Sequence, residues 1–343
     1  MIMTDYRHLL AMTDGTGLLQ FSNGKIPNPR SGYTLDDNAR ALIVSLHMKP
    51  GETDYTQHFL NYLERSQMAD GTLSNFLLDG KYYARFDSED SIGRTIMALS
   101  AATHSNRIEI SQKANQILMN NINKPRSFSS PRAIAYTLVG LCKAQLTDPD
   151  EYRPALIAHL ADYLIDLYSS TKGLDWLWFE DSLTYCNAIL PQALFCVYSF
   201  NGNKKCLHAA YDSLSFLNDI VFSEGYLNVI GNQGWLSRTR PSARFDQQPV
   251  DAASTAFACW EAYNALGHKE HLDLAKLAHQ WYRGENIHKL SLYDTSNGGC
   301  SDALTCDGVN LNQGAEASLS LIFTDLLING NIGAEFQLLK LPI

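Results

Sequence analysis

One pattern recurs about six times along the chain. A polar loop carrying glycine, an aromatic residue and Asp leads into a helix start rich in Asp, Asn, Ser or Gln, and then into an alanine-rich apolar helix. The starts are TLDDNARALIVSL from Thr34, DSEDSIGRTIMAL from Asp87 and SSPRAIAYTLVGL from Ser129. They continue as EDSLTYCNAILPQAL from Glu180, DQQPVDAASTAFACW from Asp246 and NLNQGAEASLSLIF from Asn310. A repeated unit of this kind cannot bury its apolar face alone, so the units must pack against one another.

Each start carries capping chemistry, because Ser, Asp or Asn before the first turn accepts backbone N–H bonds that the helix leaves unpaired. Pro131 and Pro249 stand near starts, where a missing N–H costs little. Pro191 reads as lying deeper, which predicts a kink. Between these helices lie amphipathic ones, beginning near Tyr55, Glu109, Pro154, Lys204 and His271, with apolar residues at helical spacing and charges opposite. The first set is small and apolar nearly all round and reads as an inner ring. The second has a wet face and reads as an outer ring. A short helix around Asp5 to Met12 supplies the twelfth by pairing with the last. The pattern therefore predicts an all-α (α/α)6 toroid, one domain over residues 1–343. The chain is 45% hydrophobic and 18% charged, enough apolar material for such a core.

The loops before the inner helices are long and turn-rich, as in residues 69–86, 223–245 and 295–309. Compact domains keep loops of this length mostly for function. All of them precede the same helix set, so they fall on one rim and build one cleft at the ring axis.

Acidic residues number 36 against 27 basic ones, and no basic run exceeds Lys204-Lys205. Clustered Lys and Arg would be needed for nucleic acid or an anionic membrane, so neither is an expected partner. No apolar run approaches the ~18 residues of a membrane span. The seven cysteines form no CxxC pair, and Cys142, Cys196, Cys206 and Cys259 lie in apolar or helical surroundings, which suits reduced thiols. The first residues show no basic segment followed by an apolar one. A soluble cytoplasmic protein is the expectation; nothing in the sequence sets an oligomeric state.

The rim is dense in carboxylates: Asp36, Asp37, Asp87, Glu89, Asp90, Glu180, Asp181, Asp246, Asp251, Asp302, Asp307 and Glu316. Aromatics stand among them (Tyr33, Tyr82, Tyr83, Phe86, Trp176, Trp178, Phe179, Tyr185, Trp235 and Phe245), and so do the amides Asn38, Asn187, Gln247, Gln248, Asn310, Asn312 and Gln313. Arg40 and Arg94 follow on two of the same helix starts. Carboxylates and amides hydrogen-bond sugar hydroxyls, and aromatic rings pack on sugar C–H faces. The mixture fits a glycan better than a phosphate or a lipid. Helix capping alone accounts for single carboxylates at these starts, but the doubled Asp36-Asp37 and Glu180-Asp181 exceed what a cap requires.

Glycoside hydrolysis needs two carboxyl groups flanking the scissile bond. Glu180, in WLWFEDSLTY, is the candidate acid, because an aromatic wall would disfavour its charged form. Glu316 in NQGAEAS, flanked by small residues, and Asp37 are the candidate partners. The ten histidines show no HxxxH or HExxH spacing, so no metal is expected. GxSxG, GxxxxGK[ST] and GxGxxG are absent, and no cofactor is expected.

The segments GYTLDDNARAL (Gly32 to Leu42), WLWFEDSLTYCNAILPQAL (Trp176 to Leu194), FDQQPVDAA (Phe245 to Ala253) and GVNLNQGAEASLSL (Gly308 to Leu321) resemble a bacterial family of helical-toroid, glycosidase-like proteins. Members are similar to domains on the C-terminal side of some glycosyltransferases and to proteins encoded near mannoside phosphorylases. The resemblance covers nearly the whole chain, in order, and implies a mannose-containing glycan. Two positions depart from its pattern: Cys186 stands where an acidic residue is implied, and Ala303 where glycine is implied after Asp302. A transferase is not the expectation, because the sequence shows no alternation of strands and helices for a nucleotide-sugar fold.

The leading expectation is an inverting glycoside hydrolase, or a phosphorylase, with Glu180 as acid and Glu316 or Asp37 as base, ~6.5–9.5 Å apart; a separation near ~5 Å would indicate retention. A sugar epimerase on the same fold would want histidine bases at the axis. An isoprenoid cyclase-like toroid would need magnesium ligands and a greasy cavity. A non-catalytic glycan-binding protein would keep the aromatics and lose the acid–base pair.

Overall fold

The computed structural model describes residues 4–48 and 55–330. Among these residues are twelve α-helices: α1 Arg7–Met12, α2 Leu35–Leu46, α3 Thr56–Arg65, α4 Glu89–Ala102, α5 Ile108–Asn121, α6 Pro131–Thr147, α7 Arg153–Thr171, α8 Ile189–Asn201, α9 Lys204–Val221, α10 Pro249–Leu266, α11 Lys269–Gln280 and α12 Ala315–Ile328. Each even-numbered helix packs on the next even one, and α12 returns to α2, which closes the ring. Each odd-numbered helix packs outside an even one, with α1 against α12. The fold is an (α/α)6 toroid.

Burial follows the helix sets. In the outer α9 the buried residues are Cys206, Ala209, Ala210, Ser213, Leu214, Leu217, Asn218 and Val221, a single stripe at helical spacing. In the inner α6 thirteen of seventeen residues are buried, from Arg132 to Gln145. Glycine permits the close approach of inner helices. A Cβ on Gly93 would lie 2.5 Å from the Ala133 carbonyl oxygen, and one on Gly140 would lie 2.6 Å from Met97 Cα. Side-chain caps form where the sequence promised them at three starts: Thr34, Ser88 and Ser130 accept from the N–H groups of Asp37, Ser91 and Ala133.

Two local expectations fail around α8. The helix does not begin near Glu180. Ser182–Leu183 forms a short strand, and the helix opens only at Ile189. Asn187 closes a turn here, accepting the Thr184 N–H at 2.8 Å and donating to the Thr184 carbonyl at 3.0 Å, while Cys186 takes a left-handed φ of 43° that interrupts a helix. Pro191 therefore falls in the first turn, where N–H groups have no intrahelical partner, and the predicted reason for a kink disappears.

The rim loops also hold small antiparallel ribbons that the all-α reading did not contain. Residues 22–23 pair with 26–27; 33–34 with 76–78, which pair with 81–83; 182–183 with 236–237; and 303–305 with 308–310. They tie the loops to one another above the N-termini of the inner helices. No helix among the described residues is long and apolar enough to cross a membrane.

Candidate active site

The N-termini of the six inner helices converge on an axial cleft with two lobes. The larger, about 520 Å³, is lined by Ser88, Glu89, Asp90, Arg94, Ser130, Tyr185, Cys186, Gln248, Val250 and Glu316. The smaller, about 290 Å³, is lined by Gln20, Phe21, Asp36, Asp37, Asn232, Asp246, Gln248, Pro249, Asp302, Ala303, Asn310, Gly314, Glu316 and Ala317. Gln248 and Glu316 border both lobes and stand where they meet.

Arg40, one and a half turns into α2, organises the centre. Its Nη1 donates to Asp37 Oδ1 at 2.7 Å and its Nη2 to Glu316 Oε2 at 2.6 Å, while Asp36 lies 3.7 Å away. Thr34 Oγ1 donates to the other Asp37 oxygen at 2.6 Å. Arg40 and Asp37 are buried, but the Glu316 side chain is 44% exposed to the cleft. Arg94 is one helix around the ring at the same offset from its cap. It lies 3.8 Å from Asp36 and 4.0 Å from Asp90, donates to Tyr136 Oη at 2.9 Å, and covers the Tyr136 ring at 4.3 Å. Asp90 accepts from Ser130 Oγ at 2.6 Å and from Tyr185 Oη at 2.8 Å. On the far wall the Cys186 N–H donates to Asp251 Oδ1 at 2.6 Å, and the Gly314 N–H donates to Asp302 Oδ1 at 2.6 Å.

Charge is distributed unequally among these carboxyls. Burial, together with the charges of Asp36 and Glu316, pushes Asp37 up to about 7 against the pull of Arg40. Burial would also raise its neighbour Asp36, but Arg40 and Arg94 hold that carboxyl below its ordinary value. Of the adjacent pair, Asp37 is the carboxyl raised and Asp36 the one lowered. Burial pushes Asp251 to about 7 as well, opposed by its Cys186 N–H bond and reinforced by Glu316. Asp302 is raised by burial, with Glu316 adding to the effect. Glu316 is the charge common to all three raised carboxyls.

The residues singled out in the sequence separate into cleft and scaffold. Asp36, Asp37, Asp90, Arg94, Tyr185, Gln248, Asp302 and Glu316 line the lobes, with Arg40 and Asp251 directly behind them. Asn38 is buried and ties the Leu18 N–H and the Thr34 carbonyl to α2. Gln247 is buried and braces Asn228, Arg244 and Trp281. Gln313 is buried against Asp294 and Asn297. Tyr33 donates to Asp14, and Asn312 accepts from the Gly24 N–H. Asn187 closes its turn and accepts from Arg132 at 3.3 Å. Asp181 is exposed and paired with Arg238 at 3.0 Å.

Glu180 has surroundings other than the predicted aromatic wall. Trp178 and Phe179 are fully buried in the core, packed edge to face on each other, and Trp176 donates its indole N–H to the Glu180 backbone carbonyl at 2.7 Å. What faces the Glu180 carboxylate is Arg132, at 2.9 Å. Arg132 also holds the Tyr185 carbonyl, Thr184 Oγ1 at 2.7 Å and the face of the Tyr185 ring at 4.6 Å. Glu180 borders neither lobe among the described residues. Arg132, Ser130 and Tyr136 on α6 were not anticipated. The signal was available for Tyr136, which stands six residues after its cap as Arg40 and Arg94 do after theirs.

The helical ring is also the architecture of several solved carbohydrate-processing proteins. A sugar epimerase from a ruminal bacterium superimposes with a TM-score of 0.72 at 14% identity, covering 95% of both chains. The cellobiose 2-epimerase of Bacillus thermoamylovorans B4167 gives 0.69 at 12% identity, covering 93% of this chain and 95% of that one. A GH76 α-mannanase of Bacteroides thetaiotaomicron gives 0.60 at 13% identity, covering 89% and 88%. At these identities the likeness establishes the toroid. No family model matches the chain, and no curated protein sequence matches it.

Proposed function

We propose that this chain is a carbohydrate-active enzyme, a glycoside hydrolase that cleaves mannose-containing oligosaccharides in the axial cleft. The observation that carries the reading is the Asp37–Arg40–Glu316 group: a carboxyl that holds its proton up to about 7 and a cleft-exposed carboxylate, both hydrogen-bonded to one guanidinium. Sharing one planar guanidinium keeps the two bonded oxygens no more than roughly 8 Å apart, an upper bound that admits a glycosidase carboxyl pair. Asp37 is the proposed acid and gives its proton to the glycosidic oxygen as the C–O bond breaks. Glu316 is the proposed base and takes a proton from the water whose oxygen attacks the anomeric carbon. Glu180, held by Arg132 outside the lobes, is assigned a positioning role for the Tyr185 loop.

Hydrolysis is favoured over phosphorolysis by charge. Arg94 is the lone basic residue among those lining the lobes, and it already faces Asp36, Asp90 and Tyr136. A phosphate dianion would meet carboxylates without a spare cation. The mannose assignment rests on the family resemblance and on the likeness to an α-mannanase.

Epimerisation is the second reading. It is favoured by the two carboxyls raised to about 7, Asp37 and Asp251, which feel the charge of Glu316 and could exchange a C–H proton, and by the likeness to epimerases. Against it, no histidine lines either lobe among the described residues.

The deciding experiment incubates the protein with mannose- and glucose-containing oligosaccharides, with and without phosphate, and follows the anomeric protons by NMR. New reducing ends, lost in Glu316→Gln, support hydrolysis, and the first anomer reports inversion. An altered sugar configuration without cleavage replaces the proposal with epimerisation. Saturable line-broadening without turnover replaces it with a binding protein.

A further inference from the structure

At the opposite end of the ring from the cleft, α10 ends at Gly267, whose left-handed φ of 75° turns the chain toward α11. His268 sits at the N-cap of α11 in extended conformation and makes no side-chain capping bond. Glu270 and His271 follow in the first turn. One donor atom from each of His268, Glu270 and His271 falls in a group whose members all lie within 4.8 Å of one another. The two imidazole rings lie nearly parallel, 16° apart, with centroids at 6.2 Å.

A helix start with an acidic residue would by itself mean nothing, but His271 adds an independent observation. It is 95% buried, being 5% exposed, and neither of its ring nitrogens has a hydrogen-bond partner. Buried polar atoms are ordinarily paired, and leaving one unpaired costs on the order of a net hydrogen bond or more. Here both nitrogens are unpaired, on a ring that shares a donor cluster with a second imidazole and a carboxylate.

We propose that His268, Glu270 and His271 form a binding site for a divalent transition-metal ion, with zinc as the probe that matches its donors. Two imidazole nitrogens and one carboxylate oxygen are borderline ligands that suit zinc and its neighbours in the first transition row; calcium and magnesium take oxygen ligands instead. Three protein ligands leave a fourth position for water. Glu270 offsets the positive end of the α11 dipole, which alone would repel a cation. An ion here would pin the α10–α11 turn. It lies away from the cleft, so its effect is on stability.

The test titrates chelator-treated full-length protein with zinc chloride by calorimetry and by thermal unfolding, using His268→Ala and Glu270→Gln. Both residues are exposed, so the variants fold whatever the role of His271. His159→Ala, an exposed histidine on α7, is the control. The expected result is one zinc per chain and a raised Tm, with affinity weakened at least about 10-fold in both ligand variants and unchanged in the control. X-ray absorption should show imidazole nitrogen in the first shell. Absence of binding, or binding that neither variant weakens, overturns the proposal. Glycan turnover is not a readout, so the outcome is independent of the hydrolase reading.

Discussion

Replacing Arg40 by Met removes the cation at the centre of the cleft while keeping much of the side-chain volume. Arg40 is buried, donates to Asp37 at 2.7 Å and Glu316 at 2.6 Å, and lies 3.7 Å from Asp36. Breaking a buried ion pair by deleting one partner costs about 3–5 kcal/mol, because the remaining charge is left uncompensated. The Glu316 leg is discounted, since that side chain is 44% exposed and a solvent-screened pair contributes about 0–1 kcal/mol. Asp37 already carries a proton up to about 7, which softens the loss on its leg below that pH. The expected destabilisation is therefore about 3 kcal/mol at pH 8. The pH dependence in this range follows from Asp37, which is raised to about 7: below that pH it is protonated and loses no ion pair when Arg40 goes, so the gap between wild type and variant narrows as pH falls from 8 through about 7. Asp36, which Arg40 and Arg94 hold below its ordinary pKa, keeps its contribution down to the unfolded value of ~4 and loses it only below that. Urea unfolding at pH 4, 5.5 and 8, followed by tryptophan fluorescence and circular dichroism, measures it as a shift in midpoint at constant slope. A loss under about 1 kcal/mol at pH 8, below the range for a buried pair, would refute the reasoning. So would a loss that does not vary with pH.

Further outcomes are expected from the same geometry. Glu316→Gln and Asp37→Asn should each lower kcat by about 10²–10⁴-fold, the usual contribution of a positioned acid or base, while Glu180→Gln changes it by less than about 10-fold; steady-state kinetics on the cleaved oligosaccharide checks the ranking. The kcat/KM profile should fall as pH rises through about 7, where Asp37 loses its proton; a profile flat from pH 6 to 8.5 would exclude Asp37 as the acid. Gly140→Val should destabilise the fold by about 1–3 kcal/mol through overpacking, because its Cβ would lie 2.6 Å from Met97 Cα; a thermal melt no lower than wild type would show that α4 and α6 can separate. Tyr185→Phe removes the 2.8 Å bond to Asp90 and should raise KM more than it lowers kcat.

Much of the cleft was legible because capping chemistry and ligand chemistry occupy the same positions. Asp36, Asp37, Asp90, Asp302 and Glu316 were found as acidic residues on one rim, and they do line the lobes. The same reasoning could not separate them from Asn38, Gln247 and Gln313, polar residues of the same helix starts whose amides are turned inward to tie loops together. Glu180 shows the limit most directly. Its sequence neighbours Trp178 and Phe179 read as a wall, but their rings point into the core and its carboxylate meets Arg132, 48 residues earlier in the chain. The His268–Glu270–His271 cluster was missed because its significance lies in the unpaired burial of one ring, which no spacing rule reports.

The sequence by itself determined the ring: apolar periodicity and polar caps at the helix starts are local signals, and a helix reads them within a few residues. Pro191 and the loop before α8 show where even local reading slips, since a left-handed Cys186 and an Asn187 turn delay the helix. Tertiary structure alone decided which carboxyl keeps a proton. Asp36 and Asp37 are chemically identical neighbours, both buried and both near Arg40, and they part because Asp36 has Arg94 as a second cation while Asp37 has the charge of Glu316, from the last helix of the ring, set against it. Proton affinity is set by charges and desolvation within a few ångströms, and those neighbours come from segments far apart in the chain.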